Sequence, residues 1–507
     1  MTPAQLAGSL LCVGFPGDSP ENAPLEELRE LAPGAVILFS RNVSTPERTR
    51  ELVDAIRGTV SGVVVAIDQE GGRVARLRRG VLALPSAMAV AASGNAADAE
   101  LLALGLAGDL RRAGVDLNLA PVADLALSPP STVIGTRAYS DDPLRAAEFV
   151  AATVRGLQRG GVAATLKHFP GHGATATDSH EALPELDVAE TTLRKREFVP
   201  FEAGIAAGAR AVMMGHLLVR ALDSDFPASL SRRVVGEFLR GELGFDGVVV
   251  TDCLQMDAIA SGIGTIRAAV TALAAGADLI TISHDLAVAG ATRDAIVAAV
   301  DAAELSRASL EKAALRVGGL RSESAAPAEE FNAQATVRRI VRSAITSVRG
   351  EPVLSRSWPV NVVSFEGSFG DGVTGEDQSA APLHLALRRR RFQAESLRVS
   401  LDPSGEMLEN LLTLVGAQRD RTLVILMRRA HLHERQAQAI DALLELSPEA
   451  VLVSALEPFD VSRFVRARNV VCSYGDDEAT IEALADVLAR IIPATGSLPV
   501  ALEHVAS

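Results

Sequence analysis

Cysteine is scarce in this chain: Cys12, Cys253 and Cys472 are the only three in 507 residues, odd in number and widely separated. That spacing excludes a disulfide framework and fits a reducing compartment. Positive charge is outweighed, 49 Lys and Arg against 63 Asp and Glu, for a formal net charge of -14. Such a balance argues against affinity gained by neutralising phosphates, so nucleic acid is not an expected partner. The one basic run, Arg388 to Arg391, has the composition of a solvated helix face. Long apolar runs are missing too, and no stretch is suited to crossing a bilayer. The opening Met1-Thr-Pro-Ala-Gln5 has no basic n-region before its short apolar run, so a cytoplasmic location is the expectation.

What remains is a large globular chain. Hydrophobic residues make up 48% and charged residues 22%, with a single Trp, a composition that buries a sizeable core. The length exceeds one ordinary core and predicts two large units. Through the first three hundred residues, short β-branched runs alternate with alanine-rich amphipathic segments, the pattern of parallel strands with crossover helices. Eight runs are counted: Leu10 to Phe15, Ala35 to Phe39, Val63 to Ile67, Val115 to Ala120, Ala163 to Lys167, Ala211 to Gly215, Gly247 to Thr251 and Asp278 to Ser283. They predict a (β/α)8 barrel of the TIM type over residues 1–320, whose chemistry sits at the carboxyl ends of the strands. Polar residues fall there: Asp68, Asn118 with Asp124, Lys167 with His168, His216, and Asp252.

Residues 321–350 read as a linker and a connecting amphipathic helix from Phe331 to Val348. A smaller α/β sandwich domain is expected over 351–507, from the runs Asn361 to Phe365, Thr422 to Met427, Ala450 to Ser454 and Asn469 to Ser473. No chemical constellation stands out there. Asp371 to Asp377 and the pair His431 and His433 are read as loop and helix surface.

The most reactive-looking stretch runs from Lys167 to His180, Lys-His-Phe-Pro-Gly-His-Gly-Ala-Thr-Ala-Thr-Asp-Ser-His. Glycine opens backbone conformations closed to other residues, and histidine changes charge nearest neutral pH, so the loop suits proton transfer. Asp178 and His180, two apart in an extended segment, project to one side, where the carboxylate fixes the imidazole's tautomer. A zinc-dependent hydrolase is the rival reading, because His168, His172, Asp178 and His180 include ligand types at His-x-x-x-His spacing. The Pro-Gly turn between the first two keeps them off one helical face.

Four patches belong together: Ile67-Asp-Gln-Glu-Gly-Gly-Arg-Val-Ala-Arg76, Ile134-Gly-Thr-Arg137, the Lys167 to His180 loop and Val250-Thr-Asp-Cys-Leu-Gln-Met256. In order and spacing this resembles glycoside hydrolase family 3, and within it the β-N-acetylglucosaminidases of the NagZ type. The resemblance covers about the first 320 residues. It implies a retaining glycosidase acting on terminal β-linked N-acetylglucosamine, with peptidoglycan-derived muropeptides as the natural class. Asp252 would be the nucleophile, His180 the acid/base and Asp178 its orienting partner. Asp68, Arg76, Arg137, Lys167 and His168 would hold the sugar, with Glu70, Arg73, His172 and Asp124 supporting them. It implies a small-molecule sugar substrate with neither cofactor nor metal. Many relatives carry a second aspartate where this chain has Cys253, read as a buried small hydrophobe rather than a rival nucleophile. A histidine acid/base leaves no carboxylate to repel phosphate, so a phosphorylase is the alternative to hydrolysis. Gly496-Ser-Leu-Pro-Val500 resembles the closing motif of the family's second domain, for which the chemistry presents no need at the site.

Overall fold

The structure, a computed structural model, describes residues 1–129, 131, 133–175, 182–321, 332–367 and 380–502. It divides into two compact units. The first comprises Met1–Leu84, Ala99–Ile134 and Asp142–Ala333; the second comprises Pro85–Asp98, Gly135–Asp141 and the chain from Gln334 onward. Two short stretches that precede residue 320 in sequence therefore pack with the later part of the chain.

In the first unit eight parallel strands close into a barrel. They are β1 (Leu11–Val13), β2 (Ala35–Leu38), β3 (Val64–Ile67), β4 (Leu117–Asn118), β5 (Ala163–Phe169), β6 (Ala211–Met214), β7 (Val248–Cys253) and β8 (Leu279–Ile282). Each pairs with its neighbour in sequence, and β1 closes on β8 through Leu11 opposite Ile280. All eight expected runs form strands. A parallel barrel buries both strand faces, which is why these segments are continuously apolar rather than alternating.

Alternation governs which way each side chain points. Ala35 and Ile37, Val64 and Ala66, Ala211 and Met213, and Val248 and Val250 all enter one buried cluster that fills the barrel. Continuing that two-residue step past the last packed layer brings Asp68 just after β3, Lys167 on β5 and Asp252 on β7 to the carboxyl-end mouth. The outer helices bury one face each. Pro46–Thr59 sets Thr49, Leu52, Val53 and Ile56 inward at helical spacing, and it starts with Thr45 accepting from Arg48 N and proline in the first turn.

The second unit holds a six-stranded mixed sheet, in the order β9 (Thr346–Arg349), β14 (Asn469–Cys472), β13 (Val451–Ser454), β12 (Thr422–Met427), β10 (Val360–Glu366) and β11 (Ala394–Ser400). Only β9 runs antiparallel, Thr346 facing Cys472. The connecting helix ends at Ala344, and β9 takes Thr346–Arg349, which the sequence had as helix up to Val348. Asp371 to Asp377 lie outside the described residues. His431 is a correction: its ring is not surface but bound, Nδ1 2.6 Å from Oδ1 of the fully buried Asp460. Asp460 follows β13 and is remote in sequence, so local composition carried no sign of the pair.

Candidate active site at the barrel mouth

Lys167 is the hub of the mouth. Its Nζ lies 2.8 Å from Asp68 Oδ1 and 2.6 Å from Glu70 Oε1, while an Arg76 guanidinium nitrogen lies 3.5 Å from Asp68 Oδ2. Burial alone would raise the Asp68 carboxyl, but Lys167 and Arg76 hold it below its ordinary value despite the opposing charge of Glu70. The outcome is a row of charged donors and acceptors whose positions are fixed before any ligand arrives. Sugar hydroxyls are read by such groups.

The backbone carrying Asp68 and Glu70 is held from below. Gln69 N donates to Asn118 Oδ1 at 3.0 Å, and Asn118 Nδ2 donates to Gln69 O at 2.9 Å. The Gln69 side chain accepts from Arg76 N at 2.9 Å and Leu77 N at 3.0 Å, and donates to Leu77 O at 2.7 Å. This ties the short antiparallel ribbon Gln69–Gly71 with Val74–Ala75, in which Gly71 and Gly72 take positive φ of 110° and 54°. Gln69 is a site residue the sequence reading missed. As an uncharged residue between two acids it gave no chemical signal.

Asp124 organises the start of the loop after β5. Its Oδ2 accepts from His168 N at 3.1 Å and lies 2.6 Å from His168 Nδ1; its Oδ1 accepts from His172 N at 2.6 Å. Burial would raise this carboxyl, yet His168 and His172 hold it low. His172 goes the other way. Burial and the neighbouring His168 push it down to about 4, so it is neutral at pH 7, and its Nδ1 lies 2.6 Å from Thr175 Oγ1. Close packing allows little else here: a Cβ on Gly173 would meet Leu125 O at 1.9 Å.

Asp252 stands at the end of β7, part-exposed, with Oδ1 accepting from Cys253 N at 2.7 Å, and its charge is felt by His172. Cys253 is buried at 8% exposure, its Sγ accepting from Ser283 Oγ at 2.8 Å. Burial raises its thiol above the ordinary value, so it has little thiolate character. His216 braces the same turn, with Nε2 3.0 Å from Cys253 O and Nδ1 2.8 Å from Ser229 Oγ.

Thus Asp68, Arg76, Lys167, His168 and Asp252 all belong to the first unit, and Asp68, Arg76 and Lys167 are in direct contact. Arg137 ends the 3-10 turn Gly135–Arg137, which packs in the second unit. Asp178 and His180 lie outside the described residues. Among the described residues no group of three or more His, Cys, Asp or Glu is arranged to hold a metal ion.

Fold and site together define a (β/α)8-barrel enzyme with a charged cluster at the carboxyl-end mouth. The family model of the glycosyl hydrolase family 3 N terminal domain matches residues 7–320, and the chain belongs to that family. A β-hexosaminidase of Pseudomonas aeruginosa (strain LESB58) is 43% identical over 262 residues, covering 51% of this chain and 78% of the relative. One from Stenotrophomonas maltophilia (strain K279a) is 39% identical over 282 residues, covering 54% and 83%. Among solved structures, a family 3 β-N-acetylglucosaminidase from Paenibacillus sp. str. FPU-7 aligns over 99% of both chains with 33% identity and a TM-score of 0.91. No described helix is long and apolar enough to cross a membrane.

Proposed function

We propose that the protein is a retaining β-N-acetylglucosaminidase that hydrolyses terminal β-linked N-acetylglucosamine. Asp252 attacks the anomeric carbon while His180, oriented by Asp178, gives its proton to the departing oxygen. His180 then takes a proton from water, which attacks the anomeric carbon of the glycosyl ester and releases Asp252 as carboxylate. Asp68, Arg76, Arg137, Lys167 and His168 bind the sugar. Peptidoglycan-derived muropeptides are the natural substrate class and the cytoplasm the place of action, with the barrel over 1–320 supplying the chemistry.

The observation that carries this reading is the Asp68–Lys167–Glu70 cluster at the same barrel mouth that presents Asp252. Its support also comes from the relatives, two β-hexosaminidases and a β-N-acetylglucosaminidase. A panel of nitrophenyl β-glycosides with and without the 2-acetamido group tests it, assayed in phosphate and in phosphate-free buffer. Release from the N-acetylglucosaminide alone, with free N-acetylglucosamine as product in both buffers, is expected. A sugar phosphate formed in phosphate would replace water as acceptor, and preference for the plain glucoside would overturn the sugar assignment.

A further inference from the structure

Arg41 belongs to none of the four motifs, yet it stands at the barrel mouth, just after β2 in the 3-10 turn Ser40–Asn42. The buried Asn42 fixes that turn. Its Nδ2 donates to Phe15 O at 3.0 Å and to Gly17 O at 2.7 Å, and its Oδ1 accepts from Phe39 N at 2.9 Å. The guanidinium itself is held along one edge: Nε donates to Phe15 O at 3.1 Å and Nη2 to Ser283 O at 2.9 Å, so the loops after β1 and β8 set its plane. It lies over the Phe39 ring, 4.6 Å from the centroid, and the His284 ring stacks with that of Phe39 at 6.1 Å.

Two chains of contact place this cation beside the charged cluster. The Arg76 guanidinium, 3.5 Å from Asp68, is 5.8 Å from the same Phe39 centroid. Ser283, whose carbonyl Arg41 binds, donates through Oγ to Cys253 Sγ at 2.8 Å, and Cys253 N donates to Asp252. All of these residues belong to the first unit. Lys167 and Arg76 face carboxylates and have side chains only 3% and 10% exposed, whereas Arg41 is open to solvent. Among the described residues no carboxylate lies within ion-pairing reach of Arg41, and its Nη1 edge has no acceptor. Partial burial lowers its pKa and no acid opposes that shift, yet a guanidinium stays charged.

A cation fixed by backbone carbonyls, with its outer N–H donors turned from the protein, suits a planar oxyanion. The buried donors and acceptors of the cluster face a sugar ring; a cation at the rim faces what projects from the mouth. We propose that Arg41 is a specificity-determining residue that recognises a carboxylate on the leaving group of the glycoside, with Phe39 and His284 as the ring surface beside it. This rests on the proposed hydrolysis at Asp252 and gives the aglycone a chemical class: acidic.

The test uses two N-acetylglucosaminides, one with a carboxylate and one with a carboxamide on the nitrophenyl ring, assayed on the full-length protein and Arg41→Gln with Tm recorded. The ratio of kcat/KM, carboxylate over carboxamide, should fall about ten- to a hundredfold in the variant, the range for a hydrogen bond to a charged group. Comparing ratios between proteins cancels the intrinsic difference in leaving-group ability, and a merely structural role would lower both substrates alike. Arg41→Lys, which keeps the charge, should lower the ratio less. Raising NaCl to about 1 M should lower the wild-type ratio toward that of Arg41→Gln. An unchanged ratio in Arg41→Gln overturns the inference and leaves the glycosidase reading standing, whereas no release from either substrate by the wild type overturns that reading instead. Should Arg41→Gln fail to fold, the salt series on the wild type answers, and a ratio indifferent to salt overturns the proposal.

Discussion

The ammonium of Lys167 lies 2.8 Å from Asp68 Oδ1, and the lysine side chain is only 3% exposed. Glu70 at 2.6 Å shares the same cation, so one buried ammonium faces two carboxylates. Arg76 lies 3.5 Å from Asp68, but removing Lys167 takes from both carboxylates a cation within 3 Å. Lys167→Met should therefore cost about 3–5 kcal/mol, the usual range for breaking a buried pair from one side. Glu70→Gln added to Lys167→Met should return part of that loss, because one of the two carboxylates that faced the ammonium is then neutral. Urea unfolding of the single and double variants reads both effects; a loss under about 1 kcal/mol would show the pair to be solvated.

A second prediction concerns acid. His172 titrates at 6.5 when unperturbed and at about 4 in the folded protein, so between these values the unfolded chain binds more protons. Stability should be fully expressed above 6.5 and decline as pH falls toward 4, by about 3 kcal/mol over the window. Asp68 and Asp124, both held below their ordinary 3.8, add a further loss at lower pH still, as they become protonated. His172→Gln should flatten the slope between pH 6.5 and 4 while leaving the steeper loss below. Denaturant midpoints across pH measure this; an unchanged slope in the variant would assign the dependence to other groups.

Cys253 supplies a third. Its thiol is buried, accepts from Ser283 Oγ and has its pKa raised, so it is a poor nucleophile despite standing beside Asp252. Cys253→Ala should retain turnover within about threefold, and the native enzyme should resist alkylation by iodoacetamide at neutral pH. Loss of turnover by several orders of magnitude would give the thiol a chemical role.

The barrel was legible because its strands are short, apolar on both faces and regularly spaced; Val64–Ile67, Ala211–Met214 and Leu279–Ile282 are each wholly buried. Edge elements were not. Ala394–Ser400 carries Glu395 and Arg398 on an edge strand half open to solvent, so its sequence has no apolar run. Thr346–Arg349 follows a helix without a break in polarity, and only its antiparallel pairing with Asn469–Cys472 reveals it. At the site, charged and ring-bearing residues announced themselves, whereas Gln69, Ser283 and Thr175 act through hydrogen bonds that depend on partners distant in the chain or on loop geometry. The packing of Gly135–Asp141 with residues beyond 450 has the same cause: contacts between remote segments leave no periodic trace in sequence.

In the proposed mechanism Asp252 forms a covalent bond with the sugar. A fluorinated N-acetylglucosaminide with an activated leaving group slows breakdown of the glycosyl-enzyme more than its formation, so the adduct accumulates. Mass spectrometry of the digested adduct should place one N-acetylglucosaminyl derivative on the peptide bearing Asp252, and Asp252→Ala should take none. A label on Cys253 or another side chain, or full turnover by Asp252→Ala, would exclude Asp252 as the nucleophile.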